Sequence, residues 1–231
     1  MTVVLIMVSA GAAAQARDPK PALLQQALAD AQARKFDQAL AALKRILSID
    51  PKFPPALELL GPVQRRTGDL YGAIRTYETL VAITPGDDEA RDMLERWKRE
   101  SELHDRMRLT VGDAFTVSFE GPEEAALADA ALEALNRAFW RLGDLLGAYP
   151  LKSVTVVLYS GDQFRDITRS PPWAAGVYDG IIRVPVRGAL DNPKGFDRVL
   201  AHEFAHALIH TLAPHSVPSW LNEGLATALV R

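Results

Sequence analysis

Apolar and polar positions change period once along the chain. From Lys20 to Met107 apolar residues recur at helical spacing, and a shift of 34 residues lays the sequence on itself. Pro21 falls on Pro55, Phe36 on Leu70, Ala39 on Ala73, Leu40 on Ile74 and Pro51 on Pro85. A period of this length predicts stacked helix pairs, with small residues where two helices approach and a proline where the second one stops. The second unit carries Leu57, Leu60-Gly61, Gly68, Leu70, Ala73, Tyr77, Leu80 and Pro85. The first keeps Phe36, Ala39, Leu43, Ile46 and Pro51. A further helix is expected from Asp87-Asp88, either of which can cap it, to Met107. Its polar face is rich in Arg and Glu and suits the end of a stack.

Beyond Arg108 the pattern alternates. Leu109, Val111, Phe115, Val117 and Phe119 predict one or two strands with a turn near Gly112-Asp113. Pro122 to Gly147 reads as a long helix with Leu127, Ala131, Leu135, Ala138, Leu142 and Leu145-Leu146 on one side. Val154 to Tyr159 reads as a buried strand, followed by a loop through Gln163-Phe164, Pro171-Pro172 and Trp173. Asp179-Gly180 signals a hairpin turn between Val177-Tyr178 and Ile181-Ile182. Pro185 in the arm Ile181 to Val186 favours an edge strand, to which an extended peptide can pair. The expected fold class is α+β, with an all-helical module over 20–107 and a mixed α/β domain over 108–231.

Composition narrows the function classes. The 231 residues suit one large domain or two small ones, and 48% hydrophobic with 24% charged residues is ordinary for a globular protein. The net charge of −3 and the lack of a basic run point away from nucleic acid. There is no cysteine, which excludes disulfides and thiolate metal sites. Thr2 to Ala14 is apolar or small, and Ala14-Gln15-Ala16 offers a small-x-small cleavage site. Residues 1–16 therefore read as the end of a signal peptide, without a preceding Lys or Arg, and predict an exported, periplasmic or extracellular protein. That stretch is too short to span a bilayer, and no other segment would do so. A period of 34 is that of the tetratricopeptide repeat, which gives the module a protein partner as its expected ligand.

The candidate chemistry lies in His202-Glu203-Phe204-Ala205-His206 and, downstream, Trp220 to Ala226. Two histidines four apart on a helix share one face and can share a zinc ion. Glu203 faces the same half of the helix and can reach the water that a catalytic zinc activates without being a ligand. Leu200, Phe204, Ala207, Leu208 and Thr211 form the opposite stripe, for the core. Glu223, on a second helix after the loop Ala213 to Pro218, supplies a third ligand. Two His and one Glu leave a coordination position open, as catalytic zinc requires. His210 lies about 12 Å of helix rise from His202, too far to close a site with both, and His215 lies in a loop; both read as surface side chains. His104, alone in a charged helix, reads as solvated.

HExxH followed by Trp220-x-Asn222-Glu223-Gly224-x-Ala226 resembles the gluzincin metallopeptidases, its second box being like that of the aminopeptidase N family. The stretch from Arg108 onward resembles the smaller bacterial peptidase MA-like domains, which are often attached to tetratricopeptide repeats. The resemblance implies a zincin-like domain: a mixed sheet with an edge hairpin, an HExxH helix and a following helix with the third ligand. It implies Zn2+ held by His202, His206 and Glu223, Glu203 as general base, and a peptide or protein substrate. It also places the arm with Gly180, Ile181, Ile182, Arg183 and Val184 at the cleft as the substrate-binding edge. Gluzincins commonly carry a Tyr or His further along that stabilises the oxyanion. This chain ends eight residues after Glu223, so the domain reads as truncated, or an upstream group such as Tyr178 fills that role. The rival expectation is an inactive peptidase-like adaptor acting through its repeats.

Overall fold

The computed structural model describes residues 18–121, 123–150, 152–171, 173–213 and 217–231. The signal-peptide stretch and His215 lie outside the described residues. Five helices come first: α1 (Lys20–Gln32), α2 (Phe36–Ile49), α3 (Pro54–Arg66), α4 (Leu70–Ile83) and α5 (Asp88–His104). The 34-residue period is literal, since both ends of α1 and α2 shifted by 34 give the ends of α3 and α4, and α5 starts 34 residues after α3. Asp69 and Asp87 cap α4 and α5 by accepting from the backbone N–H three residues on. Small residues at the crossings, Ala27, Ala39, Ala56 and Ala73, are fully buried and let the helices pack closely.

The remainder comprises β1 (Arg108–Val111), β2 (Phe115–Phe119), α6 (Glu123–Leu146), β3 (Val154–Tyr159), α7 (Gly161–Thr168), β4 (Val177–Tyr178), β5 (Ile182–Pro185), α8 (Pro193–Leu212) and α9 (Ser219–Leu229). The five strands form one mixed sheet in the order β1-β2-β3-β5-β4. β2, β3 and β5 run parallel, and β1 and β4 are antiparallel to their neighbours. Alternation along the strands sorts the two faces. Phe115, Val117, Val156, Leu158, Ile182 and Val184 meet α6 and α8 on one face. Val157 and Tyr159 meet Leu103 of α5 and Phe164 and Ile167 of α7 on the other. The sheet is thus sandwiched, and the helical repeats supply part of its second cover.

Three expectations are corrected. The stretch after β3 is the helix α7, closed by a capping box in which Ser160 and Gln163 satisfy each other's backbone N–H. The arm Ile181 to Val186 is not an edge: β5 lies between β3 and β4, and the edge position falls to the two residues of β4. Pro185 is tolerated because it is the last residue of β5, past the end of the β4 register at Arg183. His104 is not solvated; its ring is half-buried, and Nε2 lies 2.7 Å from the Tyr159 hydroxyl. Burial pushes the His104 pKa down.

The faces meet in a buried ion network. Arg183 of β5, between the core residues Ile182 and Val184, points to the other face and is 1% exposed. It donates to Glu100 of α5 at 3.0 Å and to Asp179. Arg65 of α3 bridges the same two acids, at 2.9 Å to Glu100 and 3.1 Å to Asp179. Burial alone would lower the Arg183 pKa, but the two carboxylates hold it raised.

Candidate metal centre

Helix α8 carries His202, Glu203 and His206, and α9 packs against it with Asn222 and Glu223. Leu200, Phe204 and Leu208 are fully buried against the sheet, which fixes the rotation of α8 and turns the histidines toward α9. Nε2 of His202 lies 3.2 Å from Nε2 of His206. The Glu223 carboxylate places one oxygen 3.5 Å from each of these nitrogens. Among the described residues these are the three side chains whose ligand atoms gather as a metal set, all within 4.8 Å. A tetrahedral zinc with bonds near 2.0–2.1 Å requires ligand atoms about 3.3–3.4 Å apart; the two histidine nitrogens stand close to that spacing, and Glu223 reaches them through a different oxygen each.

The protonation states also fit. Nδ1 of His206 lies 3.1 Å from Oδ1 of Asn222, an acceptor that keeps the proton on Nδ1 and the lone pair on Nε2. Burial lowers the His202 pKa, with His206 adding to the effect, so its imidazole is held neutral. Glu203 is 6% exposed. Burial raises its pKa to about 8, with the charge of Glu223 adding to the effect.

The three donors and Glu203 open onto a cleft of about 920 Å³. Its opposite wall is the segment from Trp173 to Tyr178, which ends in β4. The expected substrate edge is corrected accordingly. Ile182, Arg183 and Val184 are buried in the sheet and, with Gly180 and Ile181, are absent from the cleft lining. Tyr178 does line the cleft, and its ring meets His210 edge-on at 6.3 Å. His210 stacks on Phe36 at 6.3 Å on its other side and is no part of the metal set.

Sequence reasoning missed two contributors. A Cβ on Gly176 would stand 2.7 Å from Glu203 Oε1, so the wall touches Glu203 as bare backbone. No motif marks that glycine. Arg34 sits in the α1–α2 turn with φ 58 and lines the cleft from the helical module, although 168 residues separate it from His202. Only the folded packing reveals it.

Residues 30–96 match the tetratricopeptide repeat family. The match suggests a protein-interaction role for the repeats, and one of their turns borders the cleft. No curated protein and no solved structure matches the chain. No helix among the described residues is long and apolar enough to cross a membrane.

Proposed function

We propose that the chain is a zinc-dependent peptidase with a zincin-like domain and a tetratricopeptide partner-binding module. The cluster of His202, His206 and Glu223, with ligand atoms within 4.8 Å of one another and a buried glutamate beside it, carries this reading. Bound there, zinc would act as a Lewis acid that lowers the pKa of a water to about 7 and polarises a carbonyl oxygen. His202 and His206 offer Nε2 to the ion, and Asn222 holds the second ring in place. Glu203 is next to the cluster yet not in it, the position of a general base that takes the attacking water's proton and passes it to the leaving amine. The wall ending at β4 presents extended backbone at a free sheet edge, along which a peptide can align. Tyr178 lies in the same wall and carries a hydroxyl for the oxyanion.

The test is metal content with hydrolysis. The purified protein should hold about one zinc per chain and cleave a peptide library, and His206→Ala should lose both. Equal zinc in wild type and His206→Ala would remove the site. The adaptor reading draws on the repeat match over 30–96. It predicts zinc-independent partner capture with no cleavage product.

A further inference from the structure

Beside β4 lies a second, smaller cavity of about 240 Å³, formed where α3 and α5 meet the end of α7. Val177 lines both this cavity and the metal cleft. Four arginines converge on it, Arg65, Arg66, Arg96 and Arg169, over the apolar surfaces of Trp97 and Ile167. One acid, Asp179, is in the wall, and it is engaged by Arg65 and Arg183. Arg65 in turn is committed to Glu100 and Asp179. Arg66, Arg96 and Arg169 form no ion pair among the described residues. Arg96 Nε is sealed from solvent without a hydrogen-bond partner among them. Burial pushes the Arg96 pKa down, Arg169 and Arg65 push it further, and Asp166 opposes them.

The cost falls on Arg96: its Nε–H is buried without an acceptor among the described residues, and the like charges of Arg169 and Arg65 stand beside it, whereas Arg66 and Arg169 are exposed at the rim. A ligand that accepts several charge-assisted hydrogen bonds at once would satisfy that donor. Guanidinium forks match the geometry of a phosphate in this way, and a phosphoryl group fits the volume. We propose that this cavity is a binding site for a phosphate-class oxyanion, held by Arg66, Arg96 and Arg169. The site is separate from the metal centre and does not depend on peptidase activity. Its ligand is either inorganic phosphate or the phosphoryl group of a modified side chain on a partner.

Isothermal titration of the full chain at constant ionic strength tests it, with inorganic phosphate, O-phosphoserine and acetate as probes. Saturable binding of one phosphate per chain is expected, and Arg96→Gln or Arg169→Gln should weaken it about tenfold or more. Arg169 is exposed, so its replacement leaves the fold intact if that of Arg96 does not. Arg99→Gln, whose arginine pairs with Asp166 outside the cavity, should bind as wild type does. His206→Ala should also bind unchanged, which separates this site from phosphate on a metal. Tighter binding of phosphoserine assigns the ligand to a modified side chain, and tighter binding of phosphate assigns it to the free ion. Acetate binding as tightly as phosphate, wild-type affinity in both cavity variants, or no saturable phosphate binding would each overturn the site.

Discussion

Asn222 accepts from His206 Nδ1 across 3.1 Å, so the residue before Glu223 sets the tautomer of the His206 ring. Without that acceptor His206 can place its proton on Nε2, where the proposed zinc would bind. Asn222→Ala should therefore weaken zinc binding about 10- to 100-fold, the usual cost of losing the partner of a ligating histidine. Competition with a chromophoric chelator measures it. Unchanged affinity would mean that the contact does not orient the ring.

Glu203→Gln keeps the size of the side chain and loses its basic oxygen. Zinc content should stay near wild type, and hydrolysis should fall by about two to four orders of magnitude. A second consequence concerns metal-free protein. Burial raises the folded-state pKa of Glu203 to about 8 from the ordinary 4.5. Its protonated form favours the folded state, so that contribution is full below about pH 4.5 and is lost as pH rises through about 8. Denaturation of metal-free protein across this range should show a fall that Glu203→Gln flattens.

Gly176 and Gly224 form a matched pair of tests. A methyl on Gly176 would collide with Glu203, whereas one on Gly224 meets nothing within 4 Å. Gly176→Ala should keep zinc and lose about tenfold or more in kcat, because a base misplaced by 1 Å loses alignment. Gly224→Ala, within α9, should keep activity and gain about 0.5–1 kcal/mol in stability. Zinc loss in Gly176→Ala would place the glycine's role in metal binding instead.

Glu100 and Arg183 are each 1% exposed at the side chain. Glu100→Gln leaves Arg183 with Asp179 as its remaining partner, and should cost about 3 kcal/mol or more in urea unfolding. The pair of Glu78 and Lys98 is the control, at 49% and 38% exposure. Breaking it should cost about 0–1 kcal/mol. Equal effects would show that the buried network contributes no more than a surface pair.

The helical repeats and the placing of His202 and His206 on one helix face were legible because each rests on local spacing. A 34-residue period fixes helix pairs through repeated small and apolar residues, and an i, i+4 histidine pair stays on one face wherever α8 packs. The errors came from non-local facts. Pro185 signals an edge, but its place at the end of β5 depends on how short β4 is. His104 looked solvated in a polar helix, yet Tyr159, 55 residues on, receives it. The ion pair of Glu100 and Arg183 spans 83 residues and has no sequence signature. The α7 helix was legible after all, since Ser160-x-x-Gln163 is a capping box.

The hairpin tip ties the two halves of the chain together. Gly180, at φ 108, lies against the carbonyl of Arg66, where a Cβ would come within 2.2 Å of the oxygen. Beside it Asp179 grips Arg65. One wall of the metal cleft is thus anchored on the last turn of α3. Opening α3 releases that wall, and a ligand that tightens the wall resists the opening. In amide-exchange terms, the end of α3 and the strand at the cleft should open together, so occupancy of the cleft should slow exchange inside a repeat.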